Sequence, residues 1–227
     1  MEMVRVKQSP LTSLVERLDW KSQRRRSQID AECPGYSGRV HWLFFKSVLA
    51  RLTTPDICIL GVYNGRDIAY MAKILQASEA SHYTITGVDK FTDSPGDDWP
   101  KDVRHLSWRD AGFGDPPEMQ RAHSHLQNLG LAANVCLHQA RADDFLNNTS
   151  QLFDFIYIDI SHDYDSTIVA IDASIPRLKP GGLLAGDDFS DQGTWGVGRA
   201  VHERFDQFQL YFNWLWLAEA GDYRKKK

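Results

Sequence analysis

The sequence predicts an α/β fold with a mostly parallel sheet and helices on both faces, on the strength of three observations. Between residues 153 and 190 the chain reads strand, helix, strand. The apolar run Phe153–Ile158 ends on Asp159, and apolar residues then recur at helical spacing at Ile168, Ile171, Ile175 and Leu178. After a break at Lys179-Pro180-Gly181-Gly182, a second apolar run over 183–186 ends on Asp187 and Asp188. The second observation is a glycine-bearing turn, Gly61-Val62-Tyr63-Asn64-Gly65, between an apolar run and a helical pattern, followed by another strand ending on Asp89. The third is a closing pair of aromatic runs around Asn213-Trp214, a hairpin signal that adds an antiparallel edge.

Taken in order, residues 1–40 are polar and charged, with a weak helical signal over 11–18 and a turn-rich stretch Cys33-Pro34-Gly35-Tyr36-Ser37-Gly38. They form an N-terminal extension, an appended helix and a mobile flap; residues 41–227 form the main domain. Trp42, Phe45, Val48, Leu49 and Leu52 give residues 41–52 a broad apolar stripe that should pack on the sheet. Residues 56–60 make a short buried strand that runs into the glycine turn, and Ile68, Met71, Ala72 and Leu75 mark the following helix. Such a turn lets backbone approach a ligand, and the helix start offers unsatisfied N–H groups to an anion.

Residues 84–88 form the second strand, and Asp89 at its tip has the spacing of an acid that accepts ribose hydroxyls. A lone acid there could be a cap; coupled to the glycine turn it reads as the ribose acceptor. Residues 90–117 have no sustained period and include Trp99, Trp108 and Phe113; a long irregular segment above the ligand edge reads as a substrate lid. A helix over 117–129, a strand over 134–139 and the exit turn Arg141-Ala142-Asp143 come next, the turn lying where an adenine would sit. Beyond the central unit come a glycine loop over 193–198, a helix over 200–208 with Val201, Phe205 and Phe208 inward, and the hairpin strands 210–212 and 215–217.

A strand–helix–strand crossover sets its strands parallel, so Asp159, His162, Asp187 and Asp188 converge at one sheet edge. Crowded carboxylates raise one another's pKa or recruit a cation. On the bland reading, Asp159 and Asp187 merely end strands and cap the next element, and His162 is a helix-start residue bonded to a neighbouring acid. His123, His125 and His138 lack metal-ligand spacing.

The 227 residues carry a net charge of −4, which gives no bulk reason to expect nucleic acid or an anionic membrane as partner. The basic runs at 24–26 and 225–227 read as a solvated helix face and tail. The three cysteines suit a reducing compartment, with Cys58 and Cys136 expected to be buried in apolar runs. No signal-like segment and no run long enough to span a bilayer is present, so a soluble, cytoplasmic protein is expected.

The turn ILGVYNGRD, the strand end TITGVD, the unit FDFIYIDISHDYD, the turn LKPGGLLAGDD and the closing hairpin, in this order and spacing, resemble class I S-adenosylmethionine-dependent methyltransferases over residues 42–218. Within them the resemblance is to small bacterial metal-dependent O-methyltransferases of the sugar- and antibiotic-tailoring type. It implies a Rossmann-like, seven-stranded sheet with an antiparallel final strand. It also implies S-adenosylmethionine bound through Gly61, Tyr63, Asn64, Gly65, Asp89, Asp143 and Asp159, and magnesium on Asp159, Asp187 and Asp188. A small-molecule hydroxyl would be the methyl acceptor, with His162 and Asp159 as the catalytic pair; assembly into a homo-oligomer is left open. One departure matters: Ile59 stands where the usual first motif carries an acid, so the grip on the methionine amino group must come from elsewhere. Two rival readings are a nicotinamide-dependent oxidoreductase, which the glycine turn and Asp89 would also serve, and a cofactor-binding protein that has lost turnover.

Overall fold

The computed structural model describes residues 20–78, 82–93, 105–193 and 195–224. The weak helix signal at 11–18, Trp99 and the basic tail at 225–227 lie outside them. Two helices, α1 (Trp20–Glu32) and α2 (Arg39–Leu49), precede β1 (Asp56–Leu60), α3 (Arg66–Ala77) and β2 (Thr84–Asp89). After the irregular segment come α4 (Met119–Asn128), β3 (Val135–Gln139), α5 (Ala142–Asn148), β4 (Phe153–Ile158), α6 (Tyr164–Ser174) and β5 (Leu178–Gly186). The chain closes with α7 (Val197–Arg204), β6 (Gln209–Tyr211) and β7 (Leu215–Glu219).

The strands form a seven-stranded sheet in the order β3-β2-β1-β4-β5-β7-β6. The first five pair in parallel, and β7 enters antiparallel between β5 and β6. Strand order reverses between β1 and β4, which opens a crevice at their carboxyl ends.

Side chains alternate across each strand and so feed two cores. Ile57, Ile59, Phe155 and Tyr157 pack toward α2 and α3, while Cys58, Leu60, Ile156 and Ile158 pack toward α6 and α7. Each fully buried Leu- or Phe-sized side chain here stabilises the fold by roughly 1.5–3 kcal/mol. Three residues link β6 to β7; Phe212 and Asn213 take positive φ and the Trp214 N–H closes the turn on the Tyr211 carbonyl at 3.1 Å.

Local details differ from the sequence expectation where proline, glycine and edge position intervene. The helix after β4 stops at Ser174, because Pro176 cannot continue the ladder and instead enters a 3₁₀ turn, Ile175–Arg177. The Lys179-Pro180-Gly181-Gly182 stretch does not precede β5 but lies inside it as a bulge, with Gly181 at φ +75° and the register shifting between Phe153 and Phe155. The helix before the hairpin starts and ends earlier than expected; Phe205 and Phe208 are buried from extended chain beyond it. Cys58 is buried as expected, but Cys136 is exposed, since β3 is an edge strand.

Residues 20–40 are built into the domain. Ile29 and Cys33 are fully buried in the core beside α2 and α3, and α2 itself begins at Arg39. Arg66, in the first turn of α3, donates to the carbonyls of Cys33 and Ser37 at 2.7 Å each and of Asp30 at 3.3 Å. Tyr70 also hydrogen-bonds Asp30. Among the described residues no helix is long and apolar enough to cross a membrane.

Candidate active site

The site is assembled at the carboxyl ends of β2, β1, β4 and β5. Gly61 leaves β1 at φ +95°, and a Cβ placed there would lie 1.6 Å from the carbonyl oxygen of Asp159, so only glycine lets the turn run against the end of β4. Asp89 holds this turn from the neighbouring strand: its Oδ2 accepts the N–H of Val62 at 2.8 Å and of Tyr63 at 2.9 Å, and its Oδ1 accepts that of Phe91 at 2.8 Å. Gly65, at φ +86°, then releases the chain into α3.

The other residues expected around the cofactor divide. Tyr63, at φ +50°, stacks between Tyr36 at 5.8 Å and Trp108 at 5.5 Å. Asn64 turns away to the N-terminal segment, donating to the Pro34 carbonyl at 3.0 Å, while its own carbonyl meets His125 Nδ1 at 3.1 Å. Asp143 lies in the first turn of α5, paired with Arg141 at 3.2 Å. Of the lid aromatics, Trp108 and Phe113 form an edge contact at 5.9 Å, and the Phe113 carbonyl accepts the hydroxyls of Tyr36 at 2.7 Å and Tyr63 at 3.3 Å.

At the ends of β4 and β5 the structure brings Asp159, His162 and Asp188 together, with one potential ligand atom from each lying within 4.8 Å of the others. His162 Nε2 is 2.7 Å from Asp188 Oδ2. Asp188 reaches this position from a left-handed backbone at φ +56°. Asp187 lines the same cleft, but its Oδ2 is 2.7 Å from His41 Nε2 and its Oδ1 accepts the Asp188 N–H at 2.8 Å. His41 Nδ1 in turn accepts the Gly38 N–H at 3.1 Å, which leaves the imidazole proton on Nε2, pointing at Asp187. The capping role falls to another residue: Asp163 caps α6 by accepting the Ser166 N–H at 2.9 Å.

Burial of its carboxyl pushes Asp159 well above the usual carboxylate range, and the negative charges of Asp187, Asp67, Asp188 and Asp89 add to that. Burial alone would lower His41, but the hydrogen bond and charge of Asp187 outweigh it and hold the imidazole above its ordinary value. Such a pocket favours cations. Its donor set of carboxylates with an imidazole beside them fits a hard divalent ion, and the open glycine turn fits a ligand held against backbone.

The matching family model is that of the methyltransferase domain, and it covers residues 58–189, from β1 through the acids after β5. The chain belongs to the methyltransferase-domain family. Its fold is that of S-adenosylmethionine-dependent methyltransferases. The O-methyltransferase NovP superimposes with a TM-score of 0.68 at 16% identity, covering 90% of this chain and 98% of that one. An O-methyltransferase from Bacillus cereus, solved with S-adenosylhomocysteine, gives 0.57 at 14% identity over 91% and 96% of the two chains. An rRNA methylase from Streptococcus thermophilus gives 0.52 at 16% identity over 82% and 98%. No curated protein matches the chain in sequence. The family match leaves the oxidoreductase reading without support.

Sequence reasoning misses two residues of this methyltransferase site. In the sequence His41 reads as the start of a packing helix, and its pairing with Asp187 spans 146 positions, beyond any local pattern. Asp67 reads as part of a helix start; its carboxylate is buried near His41 and Asp187. The one available signal is the missing acid at Ile59, which calls for a substitute.

Proposed function

We propose that the chain transfers the methyl group of S-adenosylmethionine to a hydroxyl of a small molecule, with a divalent metal held by Asp159, Asp187 and Asp188. The observation that carries this reading is the meeting of Asp159, His162 and Asp188 at adjoining strand ends, beside a glycine turn tied down by Asp89. S-adenosylmethionine supplies an electrophilic methyl on a sulfonium, and a bound divalent ion lowers the pKa of an oxygen it touches.

The chain's own residues do the rest. Asp89 and Gly61 fix the turn that would hold the nucleoside. Asp159 and Asp188 present carboxylates from two neighbouring strands, and both oxygens of Asp187 keep a second lone pair for a ligand while His41 holds the group in place. His162 donates its Nε2–H to Asp188, which leaves Nδ1 as the nitrogen that can take the proton of the acceptor hydroxyl, a contribution of roughly 10²–10⁴-fold in rate. Trp195 packs against His162 at 4.7 Å and against Trp214 at 5.4 Å, giving the acceptor an aromatic wall. A nucleic-acid acceptor is disfavoured by the net charge of −4 and the acidic site edge, which would repel a phosphate backbone.

The test is methyl transfer from labelled S-adenosylmethionine to a panel of hydroxylated small molecules, before and after metal stripping. Chelation should abolish transfer while leaving S-adenosylhomocysteine binding intact, and magnesium or manganese should restore it. Asp159→Ala and Asp188→Ala should lower turnover far more than cofactor affinity. Full-rate transfer by metal-stripped enzyme would sink the metal assignment.

A further inference from the structure

Asp67 sits in the first turn of α3, two positions after the turn glycine Gly65, with only 8% of its surface exposed. Ser37 hydrogen-bonds the carboxylate, yet its Oδ1 is buried with no partner at all. The charges of His41 and Arg66 ease its burial, but His41 Nε2 is bonded to Asp187 and the Arg66 guanidinium to the carbonyls of Asp30, Cys33 and Ser37, so neither gives Oδ1 a donor. A second orphan lies close by. The hydroxyl of Tyr157 is also buried and unpaired, and that side chain is fully buried on the same core face.

These two orphans mark one place. Tyr157 pairs in register with Ile59, so its side chain stands beside position 59, where the chain lacks an acid. The carboxylates of Asp187, Asp67, Asp159 and Asp188 all lie close enough to act on the Tyr157 hydroxyl, which puts Asp67 among the groups around it. A buried carboxylate oxygen with no donor is costly, the more so beside other acids, and the partner that removes the cost is a cation carrying N–H donors. An ammonium brings three, enough for Asp67 Oδ1 and Tyr157 together.

We propose that Asp67 Oδ1 receives the α-ammonium of the amino-acid end of S-adenosylmethionine, in place of the acid absent at position 59, with the Tyr157 hydroxyl as second acceptor. This rests on the cofactor assigned above. It places the methionyl end of the cofactor between the start of α3 and the end of β4, with the glycine turn between it and Asp89.

The experiment is calorimetric titration of wild type and Asp67→Asn with S-adenosylhomocysteine and with its deaminated analogue, in which hydrogen replaces the α-amino group. Wild type should prefer S-adenosylhomocysteine by roughly 10- to 100-fold, the scale of one charge-assisted hydrogen bond. Asp67→Asn should lose most of that preference while binding the deaminated analogue as wild type does. Tyr157→Phe, which keeps the ring, should show a smaller loss confined to S-adenosylhomocysteine, and it serves if Asp67→Asn does not fold. A wild type that binds S-adenosylhomocysteine without preferring it, or an Asp67→Asn protein with undiminished preference, overturns the Asp67 assignment alone. A wild type that binds neither ligand overturns the cofactor reading as well.

Discussion

Substituting alanine at Gly61 and, separately, at Gly65 tests the logic of the turn, because both glycines have left-handed backbones but different surroundings. At Gly65, φ +86°, the nearest atom to an added Cβ is 3.6 Å away, an ordinary contact, so Gly65→Ala carries only conformational strain of about 1–2 kcal/mol. At Gly61, φ +95°, the added Cβ would stand 1.6 Å from the Asp159 carbonyl oxygen. That oxygen belongs to backbone, held where the Asp159 N–H meets the Leu60 carbonyl at 2.8 Å, so it cannot swing aside as a side chain could. Strain and overpacking together should cost about 3–5 kcal/mol. At about 2–4 °C per kcal/mol for a domain of this size, Gly61→Ala should melt about 6–20 °C below wild type, against about 2–8 °C for Gly65→Ala. Thermal melts monitored by circular dichroism, paired with S-adenosylhomocysteine titration, read both effects. Equal melting temperatures for the two variants would show that β1 and β4 do not meet as described.

Asp89→Ala removes the acceptor of three backbone N–H groups and should destabilise the fold by about 2–4 kcal/mol in urea denaturation while abolishing nucleoside binding; tight binding by a folded variant would count against Asp89 as the brace. His41→Gln, by loosening Asp187, should weaken magnesium or manganese binding by about 10–100-fold while leaving S-adenosylhomocysteine affinity within about threefold; unchanged metal affinity in calorimetry would separate His41 from the metal site. Lys179 reaches Asp56 and Asp154 at 2.7 Å each, and Lys179→Met should cost about 1 kcal/mol at neutral pH and low salt. For Asp56, burial alone would raise the carboxyl, but the hydrogen bonds from Lys179 and Thr84 outweigh it and hold it below the usual range. Its contribution is therefore present above the unfolded carboxylate pKa and fades as pH falls through the lower folded value, so the gap between wild type and variant should narrow as pH falls below the usual carboxylate range. A gap that does not narrow as the carboxylates become protonated would refute the pairing.

The parts of the site built from local pattern are legible in the sequence. Asp159, His162 and Asp188 come from one crossover whose strands must be parallel, and Asp89 comes from the spacing of the next strand after a glycine turn. What the sequence hides depends on packing between distant segments. Asp187 sits beside Asp188 in the chain, yet His41, brought in by α2, claims one of its oxygens; no period in either segment announces that bond. Asn64 belongs to the expected cofactor turn but faces Pro34, because residues 30–38 fold back over α3. Cys136 departs from expectation for a related reason: an apolar run signals a strand, but only the strand order shows which strand lies at an edge with one face open.

The hold of Arg66 on residues 30–37 has a consequence for energetic coupling. One side chain in the first turn of α3 gathers the carbonyls of Asp30, Cys33 and Ser37, while the same helix begins where the glycine turn ends. Undocking the N-terminal segment therefore strips Arg66 of its acceptors and loosens the helix start that faces the ligand. Linkage is reciprocal, so any ligand that tightens this helix start must raise the free energy of undocking residues 30–37 by the amount their docking improves its affinity. Amide exchange in that segment, far along the chain from Asp159 and Asp188, becomes a gauge of cofactor occupancy.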